Sequence, residues 1–294
     1  MRRFGHTVVV SCLAMSALAG AQAPPPDAAG VIAAAREALG GEKKLTAVKT
    51  VVATGRTRQV RGDNLVPIEF EIALELPDKY ARKDEIPAQE SGPTITGYNG
   101  ETSLQFPVPS PPPARAGGPP PPTPEQLAAA SRARLNTVRQ DVARLMLGMF
   151  AGSSSAYPLT FTYVGKAEAP QGKADVLDVK GPAGPGAFAA RLFISDTTHL
   201  PIMLTWTAPA PPMRGGPPRG EPPSPGGSSP ASAGQGQPAP PESRLYFGEY
   251  KEVSGLQLPF RLRRAFGPDT VEETTFDGFK INAKIDPKKF EVKK

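Results

Sequence analysis

Apolar and polar residues alternate along most of the chain, the pattern of a β-strand with one buried and one solvent-facing side. The clearest case is residues 65–76, where large apolar side chains share one face and three glutamates occupy the other. Similar short runs recur at 48–60, 94–98, 101–106, 159–164, 174–179, 188–195, 202–206, 245–253, 258–266, 271–276 and 279–282. Turn residues separate most of them, so the pattern predicts about eleven or twelve strands joined mainly by antiparallel hairpins.

Two segments follow a helical period instead. The first begins after Asp27, a suitable N-cap, and ends at Gly40-Gly41. The second begins at residues 123–126, which combine a threonine N-cap, a first-turn proline and a capping-box glutamine, and it ends at Gly152. Its apolar residues recur every three or four positions, at Leu135, Val138, Val142, Leu145 and Met149.

This order of elements predicts a mainly β protein of the α+β class. A sheet of so many strands must curl, and the long helix supplies an apolar face to cover its inner side. We therefore expect a wide curved antiparallel sheet that forms an open half-barrel, covered by one long helix and a short N-terminal helix. Strands and helices do not alternate, which excludes doubly wound and α/β-barrel folds.

Residues 1–23 have the pattern of a secretory signal: two arginines, an apolar run and a small-residue cleavage site. The segment around Cys12 also fits a lipoprotein processing site, but the apolar run before that cysteine is short and apolar sequence continues past it. The signal predicts export to the periplasm, and the soluble form is favoured over a lipid-anchored one. Residues 24–294 are then a single domain.

Two proline-rich tracts interrupt this domain. Residues 107–124 contain ten prolines, and residues 207–242 contain twelve prolines and seven glycines. Such sequence lacks the apolar content that offsets the entropy of ordering, so both tracts are predicted to be disordered insertions.

Few residues are suited to covalent chemistry. After removal of residues 1–23 the chain has no cysteine and one histidine, His199, so no metal site, disulfide or cofactor is expected. The sequence Gly152-Ser153-Ser154-Ser155 is close to a nucleophile motif but follows a helix and precedes a strand, the reverse of the required order. His199 lies in a predicted hairpin turn, and Glu69, Glu71 and Glu75 occupy a solvent-facing strand side. The sequence therefore predicts a protein that is not an enzyme and has no catalytic residues.

Positive charge is concentrated at the C-terminus. The formal net charge is +6, and residues 280–294 contain six lysines against Asp286 and Glu291. A basic end of this kind is most often solvated, and the alternative is contact with anionic lipid headgroups at a membrane surface. Basic and aromatic residues are not interleaved, so no nucleic-acid partner is expected. A monomer is expected.

Several short motifs are shared with one known family. They are GGEKKLTAVKT after the first helix, Leu76-Pro77-Asp78-Lys79-Tyr80, Tyr98-Asn99-Gly100-Glu101, residues 250–259 and residues 282–290. Together they resemble the LolA/LolB-like superfamily of periplasmic outer-membrane lipoprotein-sorting and carrier proteins. This resemblance implies an open barrel with a helical lid around a cavity for acyl chains. Those carriers fasten the lid with an arginine on an early strand; Arg56, Arg58 and Arg61 are all candidates, and none can be assigned.

The inner strand faces are the candidate binding surface. Their side chains either fill an ordinary core or line a cavity for a hydrophobic ligand, and the resemblance favours the acyl chain of a lipid or lipoprotein. The alternative is a non-catalytic interaction or sensor module, with a filled β scaffold and proline-rich loops that bind partners. The predicted ligand-lining residues are Phe70, Ile72, Leu74, Phe161, Tyr163, Leu192, Ile194, Leu204, Trp206, Leu258 and Phe260.

Overall fold

A computed structural model of the chain describes residues 27–87, 89, 92–108, 122–170, 172–184, 186–207 and 242–291. The predicted export signal with Cys12, residues 109–121 and 208–241 of the two proline-rich tracts, and the last three residues lie outside the described residues. Within that range, no helix has the length and apolar character needed to cross a membrane.

Three helices and twelve strands make up the described chain. The helices are α1 (Ala28–Ala38), α2 (Glu42–Thr46) and α3 (Pro124–Phe150), and a 3₁₀ turn occupies Pro287–Phe290. The strands are β1 (Thr50–Arg61), β2 (Asn64–Glu75), β3 (Lys79–Glu85), β4 (Thr94–Asn99), β5 (Thr102–Phe106), β6 (Thr160–Ala169), β7 (Gly172–Lys180), β8 (Ala189–Ser195), β9 (Pro201–Thr207), β10 (Glu242–Val253), β11 (Leu256–Phe266) and β12 (Asp269–Ile281).

All twelve strands form one antiparallel sheet with the order β5-β4-β3-β2-β1-β12-β11-β10-β9-β8-β7-β6. Strands that are neighbours in the sheet are consecutive in sequence except in the middle, where the first strand pairs with the last over nine residue pairs. The two edge strands, β5 and β6, do not pair, and α3 is the connection between them. The predicted fold, an open half-barrel of antiparallel strands with a long helix, is confirmed.

The core lies between the concave face of the sheet and the C-terminal half of α3. Helix residues Leu135, Val142, Met146, Leu147 and Phe150 are buried in one cluster with apolar side chains from both halves of the sheet. The first turns of α3, residues 124–134, contribute no buried residue.

Helices α1 and α2 close one end of the half-barrel. The Gln257 N–H donates to the Leu39 carbonyl at 2.9 Å, and Arg36 Nη1 donates to the Phe150 carbonyl at 2.9 Å. Leu39 and Leu256 are almost fully buried there. Because these contacts lie at the start of β11 and the end of α3, the far ends of β1 and β11 are left uncovered by α1 and α2.

Most local predictions agree with the structure. The Asp27 carboxylate caps α1 by accepting the Gly30 N–H at 2.6 Å, and Thr123 and Gln126 form the predicted capping box of α3. Gly100 adopts a φ of 55° in the hairpin between β4 and β5. The helix α3 ends at Phe150, with Ala151 in the left-handed conformation, rather than at Gly152.

Two strand predictions were wrong. Strand β3 was missed, because its outer half is charged and lacks a large apolar residue after Tyr80. The last two predicted strands are one strand, β12, in which a bulge after Phe276 shifts the register against β1. A bulge adds one residue and so interrupts the two-residue period without ending the strand.

Candidate functional site

The strand register arranges the concave side chains of β11, β12, β1 and β2 in rows. One row joins Leu262, Thr274, Thr57 and Ile68, and the next row toward the open end joins Arg264, Glu272, Gln59 and Val66. Deeper along β11, Leu258 is fully buried. The inner face therefore changes from apolar to polar toward the uncovered end of the half-barrel.

A cleft of about 300 Å³ lies at this transition, between the sheet and one face of α3. This volume is at the lower end of the roughly 300–1,000 Å³ typical of small-molecule sites. Its apolar lining is Ile68, Ile72, Tyr80, Leu245, Leu262 and Phe276 from the sheet, and Val138 and Leu145 from α3. Its polar lining is Thr57, Gln59, Arg61, Arg82, Asp84, Thr96, Asp141, Arg264, Glu272 and Thr274.

Hydrogen bonds within the sheet fix part of the polar lining. The hydroxyls of Thr57 and Thr274 lie 2.9 Å apart and are buried. Gln59 Nε2 donates to Glu272 Oε2 at 3.4 Å, and Thr274 Oγ1 donates to the other oxygen of that carboxylate at 3.5 Å. The Glu272 side chain is therefore already bonded within the sheet.

A cation on the other side of the cleft is also paired. Arg82 Nε donates to Asp84 Oδ1 at 2.7 Å, and Arg82 Nη2 donates to Thr57 Oγ1 at 3.3 Å. Its guanidinium carbon lies 4.6 Å from the centre of the Phe70 ring, a cation–π contact. Arg82 thus covers the apolar core with a charged group held in one orientation.

Two tyrosines of β3 and β4 stand beside Arg82 on the concave face. Their ring centres are 6.0 Å apart. Burial raises the pKa of Tyr98 to about 12, and burial also raises the pKa of Tyr80 above its ordinary value. Both phenols are therefore neutral at physiological pH, and Tyr80 is an uncharged part of the cleft lining.

Two further arginines, Arg144 and Arg264, lie close to the same carboxylate at the helix side of the cleft. Arg144 is 9% exposed, its Nη1 donates to Asp141 Oδ1 at 2.8 Å, and its guanidinium lies 4.4 Å from the Trp206 ring centre. Burial lowers the pKa of Arg144, and the nearby charge of Arg264 acts in the same direction while Asp141 opposes it. Arg264 Nη2 is 3.8 Å from the same Asp141 oxygen, so one carboxylate serves two guanidinium groups.

Comparisons with known proteins find distant structural likeness only. No protein-family model matches the sequence, and no curated protein does. Similar solved structures include a LolA superfamily protein from Nitrosomonas europaea, with 12% identity over 91% of this chain and 98% of that one and a TM-score of 0.49. Another is a domain from Vibrio parahaemolyticus described as an outer membrane lipoprotein-sorting protein. It has 9% identity over 88% of this chain and 95% of that one, and a TM-score of 0.46.

A third similar structure is a DUF1329 family protein from Desulfovibrio piger, with 8% identity over 90% of this chain and 97% of that one and a TM-score of 0.44. With TM-scores below 0.5, these likenesses concern the general fold, and the function is argued from the residues of this chain.

The structure places most of the predicted ligand-lining residues in packed regions. Leu192, Ile194, Leu204 and Leu258 are fully buried, with no exposed surface. Others are either 3–5% exposed or half-buried against the same cluster, namely Phe70, Leu74, Phe161, Tyr163, Trp206 and Phe260. Ile72 is the one predicted residue that also lines the cleft. Contact of these eleven residues with a ligand stays a prediction.

The cleft contains residues that the sequence reasoning passed over. Of the three candidate arginines, Arg61 lines the cleft, whereas Arg56 pairs with Asp277 on the exposed side of the sheet. The sequence pattern does not single out Arg82, Asp141 and Arg264, because it assigns charged residues on strands and helices to the solvent-facing side. For the two strand residues a signal was available in the two-residue period of a strand. Arg264 is two residues from Leu262 and Arg82 is two residues from Tyr80, so each shares a strand face with an inward-facing side chain.

The residues considered for chemistry serve structural purposes. Ser153 Oγ accepts the Leu159 N–H at 3.2 Å, and the His199 N–H donates to the Ser195 carbonyl at 2.9 Å in the turn between β8 and β9. Among the glutamates of β2, Glu75 pairs with Lys79 at 2.6 Å and Glu71 pairs with Lys289.

Proposed function

We propose that this protein is a non-catalytic carrier that binds the acyl chain of a lipid or lipoprotein in the cleft between α3 and the sheet. The observation that carries the proposal is the lining, which combines a group of apolar side chains with several charged ones. An amphipathic molecule needs both surfaces, since its chain gains about 0.8 kcal/mol per buried CH₂ while its polar end must stay hydrated or hydrogen-bonded.

Export to the periplasm is part of the proposal and rests on the signal predicted at residues 1–23. A carrier in that compartment meets acyl chains at two membrane surfaces. The lysine-rich C-terminus is proposed to touch the anionic surface of one of them.

A filled scaffold that binds partners through its loops is the second candidate. The observation in its favour is the packing of the other half of the sheet, where Leu177, Leu192 and Leu204 are fully buried. The two candidates differ in whether the region around Leu262 accepts a ligand.

Binding of the uncharged fluorescent probe N-phenyl-1-naphthylamine separates the candidates. The wild-type protein is expected to enhance the probe's fluorescence, and lipid is expected to co-purify with the exported protein in native mass spectrometry. Leu262→Glu places a carboxylate at the half-buried cleft wall. We expect this variant to fold and to bind the probe at least about tenfold more weakly, because the burial of one leucine is lost.

Two further variants serve as controls. Val60→Glu changes a side chain of strand β1 that is 46% exposed, and it should leave probe binding unchanged. Leu204→Glu buries an unpaired charge in the packed core and should unfold the domain. A wild-type protein that neither binds the probe nor co-purifies with lipid would leave the scaffold as the better account.

A further inference from the structure

Arg264 is a cation whose hydrogen-bond donors are vacant. Its Nε is buried and has no hydrogen-bond partner. Across the described residues its guanidinium makes no hydrogen bond, and its one ion pair is the 3.8 Å contact with Asp141. A guanidinium has five N–H donors, and leaving them unmatched at a partly buried site costs free energy. Arg264 lines the cleft, so a ligand there can reach the outer part of this group.

The neighbouring carboxylates are committed elsewhere. Asp141 accepts a hydrogen bond from Arg144 at 2.8 Å, and Asp84 accepts one from Arg82. Glu272, the cross-strand neighbour of Arg264, accepts from Gln59 and Thr274. Counting Arg61, four arginines face these three carboxylates, which leaves a local excess of one positive charge.

Arg264 lies beside an apolar wall of the cleft, so the site offers one surface for each end of an amphipathic molecule. It follows Leu262 by two residues on the same strand face, so the apolar wall and the Arg264 guanidinium are adjacent. Trp206 completes the surroundings, with its ring centre 5.9 Å from the Arg264 guanidinium carbon. An oxyanion at Arg264 would therefore have its attached chain beside the apolar lining of the cleft.

We propose that Arg264, supported by Arg144 and Trp206, forms a subsite for the oxyanion headgroup, a carboxylate or a phosphate ester, of the ligand whose chain occupies the cleft. This inference rests on the proposed function and narrows the ligand to an anionic amphiphile. Charge-assisted hydrogen bonds between guanidinium and oxyanion are short and strong, and a planar guanidinium can bind two oxygens at once.

Displacement of N-phenyl-1-naphthylamine by oleate and by oleyl alcohol tests the subsite, because the two compounds share a chain and differ in headgroup. The wild type is expected to bind oleate about tenfold more tightly than the alcohol, with a difference that shrinks as salt is raised. Arg264→Gln should lower the affinity for oleate about tenfold and leave that for the alcohol unchanged. Arg264→Lys, which keeps the charge, should retain part of the preference.

Arg263→Gln is the matched control. Arg263 is the adjacent residue of β11 but lies over the Tyr246 ring, at 4.2 Å from its centre, on the opposite face of the sheet. Its variant should keep the full preference for oleate. The fluorescence of Trp206, the one tryptophan of the chain, gives an independent readout, and should respond to oleate in the wild type and less in Arg264→Gln.

The outcomes separate the subsite from the proposed function. Equal affinities for oleate and oleyl alcohol, or an unchanged preference in Arg264→Gln, would overturn the subsite while leaving the carrier in place. Failure of both compounds to displace the probe would overturn the carrier function. A third outcome is that inorganic phosphate binds and requires Arg264, while the protein shows no preference for oleate over oleyl alcohol. That result would show that the arginine binds a free anion, and it would refute the headgroup subsite.

Discussion

At the scale of single residues, close contacts in the core hold α3 against the sheet. Gly148 lies so near Phe247 that a Cβ atom there would be 2.1 Å from a ring carbon. Three residues after Phe247 on β10, the Tyr250 hydroxyl donates to the Gly148 carbonyl at 2.9 Å or to the Pro201 carbonyl at 2.8 Å. Burial raises the pKa of Tyr250 well above its ordinary value, which keeps this hydroxyl protonated as a donor.

Gly148→Ala should therefore destabilise the protein even though alanine favours helix by about 1 kcal/mol. The added methyl forces the Phe247 ring or the helix to move, and overpacking of this kind costs about 1–3 kcal/mol. Urea denaturation checks the result. Gly248→Ala is the control, because no atom lies within 4 Å of its Cβ position; equal stability of the two variants would contradict the tight contact.

The apolar residues of the core could be predicted one by one from the sequence, but the site residues could not. Alternation identified Ile72 and Leu258 as inward-facing, because burial of large apolar side chains dominates folding. The same rule assigns charged residues to solvent. Arg264 and Asp141 depart from it because they lie where the inner face becomes polar, and that boundary depends on strand pairing.

At the scale of elements, α3 has two different halves. From Leu135 onward the helix packs in the core, whereas residues 124–134 contain no buried side chain. The capping box of Thr123 and Gln126 satisfies the backbone at the start of the helix, but the stability of most protein helices comes from packing of one face. The three-to-four spacing of apolar residues predicts the packed half of the helix. The capping motif predicts where the helix begins.

Hydrogen exchange should reveal the two halves. We expect the amides of Glu125–Arg134 to exchange much faster than those of Val142–Phe150, because unpacked helical turns open locally without global unfolding. Mass spectrometry of peptic fragments measures both segments in one experiment. Uniform protection along α3 would show that its first turns are held by contacts not seen in the structure.

At the scale of the whole molecule, strand pairing creates the site. Residues near Thr57 and residues near Thr274 are far apart in sequence, and pairing of β1 with β12 makes them neighbours. Most of the strands, their hairpins and the half-barrel could be predicted from local patterns; the total of twelve agrees because one missed strand offsets one strand predicted as two. The meeting of the first and last strands could not, since hairpin signals join only consecutive strands. The cleft depends on that junction and on the path of α3 between the sheet edges.

Photolabelling tests the central claim, that an anionic amphiphile binds in the cleft, most directly. A fatty acid that carries a diazirine near the carboxyl end of its chain is bound to the protein and irradiated, and the labelled residues are mapped by mass spectrometry of peptides. We expect label on α3 around Val138–Leu145 and on β11 around Leu262, competed by oleate and greatly reduced in Leu262→Glu. Label confined to the outer face, or label that oleate does not displace, would contradict the account.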